Sequence, residues 1–328
     1  KVKIDKPLAH ELKVLNKARH TEEGNNVWVF IFPHRPQGQE GRPRGAPCDG
    51  PISLPLMSTA ILPIVAAVSG LYTSLWGAFK DSPYEGFKPK TFPRSVYFNV
   101  VIFAALYALP AFHDRVTALG LFQLFFVTMG LERFLVEIYK GFFRTEDQAK
   151  YFVPSRITFF GHHVASDLTR YAVGAAILAV VFAVVWIDVA VEQFLWFAVT
   201  AYATGLLVSL GGAYKDAPFE GFKPLKFQRS GVVLAVLSPL FYYVNEVQGQ
   251  APVSLGFLIY MNGGLERFAV EYYKTYIQRN MSGKFRPDIE RHQHELETRE
   301  KYHHAALVIM AGLVALYIWE LSSTPDVP

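Results

Sequence analysis

Residues 77–95 read GAFKDSPYEGFKPKTFPRS, and residues 212–230 read GAYKDAPFEGFKPLKFQRS. The two agree at 13 of 19 positions, too many for chance in a stretch so mixed in residue type. A second pair follows at nearly the same offset, GLERFLVEIYK at 130–140 and GLERFAVEYYK at 264–274. A third and weaker pair is GHHVAS at 161–166 and YHHAAL at 302–307. Between these motifs lie apolar blocks near residues 52–76, 95–111, 117–135 and 163–187, and again near 189–211, 231–245, 252–268 and 304–320. The chain therefore reads as one unit written twice: helix, KDxPxEGFKP loop, helix, helix ending in GLERFxVExYK, connecting loop, His-His, helix.

Composition decides the solvent. Half the residues are apolar (51%) and only 18% are charged, against about 25% in ordinary soluble domains. The apolar residues come in blocks of a length that crosses a hydrocarbon core of about 30 Å. Alternating strand patterns are absent, and only helices or closed barrels satisfy their backbone in lipid. The expected fold is all-α: a polytopic transmembrane bundle of about eight spans, built as a tandem parallel repeat of a four-helix unit. Four spans per unit is an even number, so both copies enter from the same side. Residues 1–51 form a polar tail, 52–187 the first repeat, and 188–328 the second repeat with a charged loop at 275–302.

The net charge of +4 does not indicate a nucleic-acid partner, because the basic residues lie between apolar blocks and beside aromatics, where anionic headgroups are nearer. The single cysteine, Cys48, excludes an intrachain disulfide or a cysteine metal cluster. The first twenty residues are polar, without the apolar core of an export signal. Alternating helix ends bring both KDxPxEGFKP stretches, both LERF ends and both His-His pairs to one membrane face, which carries most of the lysines and arginines.

Three constellations on that face carry chemistry. Arg133 and Glu137 share a helix face at i,i+4, as do Arg267 and Glu271. Such a pair either braces a helix at the interface or presents a planar guanidinium to a phosphate. The KDxPxEGFKP stretch is either a tight interfacial turn or the wall of a headgroup pocket, with Lys80 or Lys215 as anion contact and Asp81 or Asp216 orienting it. His162 and His163 are adjacent, as are His303 and His304, so neither pair chelates one ion easily from a helix. One histidine from each repeat, joined by His292 or His294, could still form a metal or haem site, or a histidine could serve as general base. No metal ligand set is assigned and no cofactor is expected, since the chain has no HExxH pattern or nucleotide-binding glycine loop.

The stretch FPRSVYFNVVIFAALY followed by LGLFQLFFVTMGLERFLVEIYK resembles the closing part of the bacterial prolipoprotein diacylglyceryl transferases. That family has an Arg-containing helix start, a short linker and a Gly-x-Leu-Phe helix ending Tyr-Gly-x-x-Arg-Phe-x-x-Glu-Phe-x-Arg. The resemblance puts the family's essential arginine on Arg133 and Arg267, its glutamate on Glu137 and Glu271, and its last basic residue on Lys140 and Lys274. ITFFGHHVAS is similar to the family's Phe-His-Gly-Gly helix start, with the histidine displaced by one or two positions. Met129 and Gly263 stand where the family has tyrosine, and the family's phosphatidylglycerol signature has no counterpart.

What the resemblance implies is a bacterial inner-membrane protein with its motif face in the periplasm, although the positive-inside rule would place that face in the cytoplasm. It implies an anionic phospholipid held by Arg133, Arg267, Lys80, Lys215, Lys140 and Lys274. A lipoprotein precursor would be the acceptor, with His162, His163, His303, His304, Glu137 or Glu271 handling the proton. The alternative is a non-catalytic membrane subunit that keeps the scaffold and docks other membrane proteins.

Overall fold

The computed structural model describes residues 60–146, 156–159, 162–279 and 292–323. The polar tail 1–51 and residues 280–291 of the charged loop lie outside them.

The chain is almost entirely helical. In the first repeat α1 (Ile61–Glu85), α2 (Arg94–Ala108), α3 (Pro110–Thr117), α4 (Leu121–Ile138) and α5 (Asp167–Val185) follow one another. The second repeat runs α6 (Phe194–Glu220), α7 (Pro224–Leu237), α8 (Pro239–Gln248), α9 (Leu255–Glu266), a short α10 (Gln293–Thr298) and α11 (Glu300–Ser322). Wider π-type turns extend α4 over Tyr139–Phe143, and α9 over Arg267–Glu271 and Tyr273–Ile277. Two antiparallel ribbons of two residues each are added, β1 (Thr158–Phe159) with β2 (His162–His163) and β3 (Ala190–Val191) with β4 (Val253–Ser254).

Among the described residues, five helices are long and apolar enough to cross a membrane: α1, α5, α6, α7 with α8, and α10 with α11. A sixth is gained if α2 and α3, bent by 110° at Leu109, count as one span. The Pro110 ring opening α3 cannot accept the helix of α2 unbroken, because it lacks the N–H that would bond back one turn. α4 and α9 are different in kind. They carry the LERF charges and are buried along nearly their whole length, from Phe122 to Glu132 and from Gly256 to Glu266. The outer helices instead turn apolar side chains outward, among them Val180 and Phe182 on α5, Leu207 and Leu210 on α6, and Val308 and Ile318 on α11. A polar centre with an apolar rind is compatible with an integral membrane protein.

The sequence suggests a loop at KDxPxEGFKP, but its first half is helix. Residues 80–85 complete α1 and residues 215–220 complete α6, with Pro83 and Pro218 inside the last turn. Both helices stop at a glycine with left-handed φ, Gly86 at 75° and Gly221 at 79°. Their N–H groups close the helix on Ser82 O and Ala217 O, at 2.9 Å each. A side chain at either position would strain against the carbonyl, which explains the EG pair in both copies.

The two GLERF helices, α4 and α9, interlock. α4 and α9 cross where Gly130 meets Gly264. A Cβ on Gly130 would collide with the Tyr260 carbonyl, and one on Gly264 with the Phe126 carbonyl. α5 and α11 each reach across to the other GLERF helix. The end of α5 reaches the start of α9, where Leu255 N–H donates to Val189 O (2.8 Å) and Gly256 N–H to Ile187 O (3.1 Å). The end of α11 reaches the start of α4, where Glu320 accepts from Leu121 N–H at 2.6 Å. Each repeat therefore caps the central helix of the other.

Candidate functional site

The site is built on the segment after the glycine crossing. One residue beyond Gly130 and Gly264 comes leucine, then Glu and Arg. Because the backbones touch at the glycines, the next turn of each helix faces its counterpart. Arg133 Nη1 donates to the Glu266 carboxylate and, at 3.1 Å, to Gly263 O. Arg267 Nη1 donates to Glu132 Oε2 at 2.7 Å. The second oxygen of each acid takes a serine hydroxyl, Ser95 on Glu132 (2.8 Å) and Ser230 on Glu266 (2.9 Å). The arginines therefore bond across the repeats rather than to the glutamates four residues on. A longer contact, Arg267 Nη2 to Glu137 at 3.9 Å, also crosses between the repeats.

The two bridges are not equal in exposure. Arg267 and Glu132 are sealed, at 4% and 1% side-chain exposure, with the guanidinium 5.3 Å above the Trp76 ring. Arg133 retains 12%. Burying ions this deeply is tolerated when each is paired. The two serines fill the second oxygen of each carboxylate, while Arg267 Nε has no acceptor among the described residues.

Beside the bridges lies a cavity of about 1100 Å³. Its wall includes Lys80, Arg133, Lys140, Arg267, Glu137, Glu271 and Lys274 of the predicted set. Around Glu271 the field is strongly positive. Burial alone would raise its carboxyl, but Lys274, Arg133 and Lys80 together hold it well below the usual carboxylate range. Lys274 bonds Glu271 at 2.6 Å, and Lys140 lies 3.4 Å from Glu137. Lys80 sits over the Trp76 ring at 4.6 Å. The side chain of Lys215 lies outside what the structure describes.

The histidines are elsewhere. His162 is on the exposed ribbon β2, and only the backbone of its neighbour His163 is described. His303 is stacked on Tyr276 (4.6 Å between ring centres), with Nε2 3.1 Å from Tyr272 Oη and Nδ1 3.5 Å from Glu300. His304 lies beside it at 6.3 Å between rings. None of His162, His303 and His304 lines the cavity. His292 packs near Gly86. Among the described residues no group of three or more His, Cys, Asp or Glu is placed to hold a metal ion.

Sequence reasoning missed several wall residues: Arg94, Ser95, Lys223, Lys226, Arg229 and Ser230. The signal was present, because the Arg-Ser that closes the first repeated stretch closes the second as well. Compared with protein-family models, with curated proteins and with solved structures, the chain matches none.

Proposed function

We propose that this is a lipid-handling membrane protein whose cavity takes the headgroup of an anionic phospholipid. One observation carries the reading: a single cavity joins a cationic wall to an apolar mouth. Eleven lysines and arginines line it against seven aspartates and glutamates. At its other side stand Ile177 and Val180 of α5 and Leu207 and Leu210 of α6, all exposed on the outer surface. A phosphate would sit among the cations, and acyl chains would leave between α5 and α6 into the bilayer. About eight transmembrane spans arranged as a tandem parallel repeat of a four-helix unit, with the motif face in the periplasm of a bacterial inner membrane, complete the proposal.

The resemblance to the diacylglyceryl transferases supplies a reaction. A thiol sulfur on a lipoprotein precursor attacks the glyceryl carbon, and the bond from that carbon to the phosphate oxygen breaks. Glycerol phosphate leaves with the electron pair, and a protein base takes the thiol proton. Arg133, the more open of the two bridged arginines and part of the cavity wall, would stabilise charge growing on the leaving phosphate. Glu271 lines the same cavity, where the cations beside it keep it a carboxylate. The second reading, lipid binding without turnover in a membrane subunit that docks other chains, is favoured by the position of His162, His303 and His304 off the cavity wall.

The test is lipid binding by the full chain in nanodiscs. Phosphatidylglycerol should bind and phosphatidylcholine should not. Arg133→Met combined with Glu266→Met removes both charges of one bridge and should weaken binding while the bundle persists. Equal binding of both lipids by the native protein would end the proposal. Transfer of a diacylglyceryl group to a cysteine peptide separates the enzymatic reading from the scaffold.

A further inference from the structure

Nine of the cavity's eleven lysines and arginines, Lys80 and Lys226 apart, divide into two sets. Arg133, Arg267, Lys140 and Lys274 are held by glutamates, as are Lys88 by Glu85 (2.6 Å) and Arg144 by Glu146 (2.6 Å). Arg94 and Lys223, both exposed, and the part-buried Arg229 also line the wall, and none of the three has an ionic partner among the described residues. Arg229, like Arg267 beside it on the wall, also has a buried Nε without an acceptor among the described residues, but Arg267 has a carboxylate on its Nη1 and Arg229 has none. A buried donor left without a partner is costly, and a guanidinium is the costliest of common donors to leave so.

These three residues share an address. Arg94 opens α2 and Arg229 lies near the opening of α7, at equivalent positions of the FPRS and FQRS repeats. Lys223 directly precedes α7. Ser95 and Ser230, their neighbours in sequence, are already spent on the bridge carboxylates. The protein has thus neutralised the cations at the helix crossing and left those of the repeated Arg-Ser turns uncompensated. Three uncompensated charges from two repeats exceed what one singly charged phosphodiester balances.

We infer that Arg94, Lys223 and Arg229 form the anion-recognition end of the cavity, and that it selects a lipid carrying two phosphate groups over one carrying a single phosphodiester. This rests on the headgroup reading above and adds the class of lipid. A lipid is the source, rather than a free phosphate compound, because the same cavity is walled by Val181, Val208 and Leu210. Two phosphates would each find a guanidinium, whose planar fork suits bidentate contact, with Lys223 as a point charge between or beside them.

The test measures binding to the full chain in nanodiscs for three probes: cardiolipin, phosphatidylglycerol and inorganic pyrophosphate. Cardiolipin should bind about tenfold more tightly than phosphatidylglycerol. The Arg94→Gln, Lys223→Gln, Arg229→Gln triple variant should lose that preference and bind both lipids with similar, weakened affinity. Lys223→Gln alone, at an exposed position before α7, should lose about twofold to threefold of it and covers the case in which the triple variant fails to fold. Equal affinity of the native protein for the two lipids, or a preference that survives the variants, overturns the inference and leaves the headgroup reading standing. Pyrophosphate binding as tightly as cardiolipin overturns the lipid assignment. Failure of all three probes to bind removes the headgroup reading with it.

Discussion

Arg267 Nη1 lies 2.7 Å from Glu132 Oε2, a bond between residues 135 apart in sequence and from different repeats. Its mirror, Arg133 on Glu266, closes the other side of the same crossing. The pair of bridges fixes how the two halves meet.

Removing one member should therefore be severe. Arg267→Ala leaves the Glu132 carboxylate 1% exposed without its cation, and we expect a loss of about 3–5 kcal/mol. The double variant Arg267→Met, Glu132→Met should cost much less than the single change. Thermal unfolding in detergent of the native protein, both singles and the double gives the coupling directly. Additive losses would show that the residues do not interact.

Gly264→Ala should destabilise by at least about 1–3 kcal/mol, the usual cost of overpacking, because the added methyl meets the Phe126 backbone rather than a side chain that can swing away. Gly77→Ala is the control. That glycine is helical, with open space where the Cβ would stand, so alanine should be neutral or stabilising by up to about 1 kcal/mol. Melting temperatures of the two variants should move apart.

Glu271 gives a pH prediction. Its folded-state value is lowered by Lys274, Arg133 and Lys80, so protons favour the unfolded chain. The stability it contributes is complete above the ordinary carboxylate value of about 4.5. It is lost as pH falls through the lowered folded value. The stability gap between native protein and Glu271→Gln should hold constant from about pH 8 to pH 5 and narrow only at more acid pH. A gap that already closes near neutrality would contradict the placement of these cations.

Glu320→Ala tests the reach of α11 to α4. Leu121 N–H loses its 2.6 Å acceptor, and Phe122 N–H its weaker ones at 3.4 Å. We expect a cost of about 0.5–2 kcal/mol, as for loss of a helix cap. Amide exchange should quicken at the start of α4, with no change at Arg133. Unchanged exchange there would mean that the carboxylate does not hold that end.

The repeated motifs, the helical class and the long apolar helices compatible with a membrane could be read from the chain, because apolar blocks and recurring motifs are local signals. The expected eight spans could not, since among the described residues five helices, or six with the bent pair, are long and apolar enough to cross. The partner of each LERF arginine could not. Helical periodicity names only neighbours along one helix, so it pointed Arg133 toward Glu137, whereas the acid it bonds sits on the helix that crosses it. That acid, Glu266, directly precedes Arg267, and its importance appears only once Gly130 and Gly264 are seen to touch. The prolines of KDxPxEGFKP misled in a simpler way. Pro83 and Pro218 read as loop markers, yet both fall in the closing turn of long apolar helices and the true stop is the glycine three residues later. The histidines stood out by adjacency, which says nothing about which cavity a ring faces. Arg94 and Arg229 were hidden because no unusual spacing surrounds them, only their recurrence.

The exchange of charge between halves has a consequence for how such a chain can come apart. Severed in the connector between α5 and α6, neither fragment would contain both ends of any bridge at the crossing, and each would carry an acid and a base waiting for a stranger. Produced separately, the pieces should be insoluble or quickly degraded. Produced together, they should find each other, because every buried ion in that crossing has its counter-ion on the other piece.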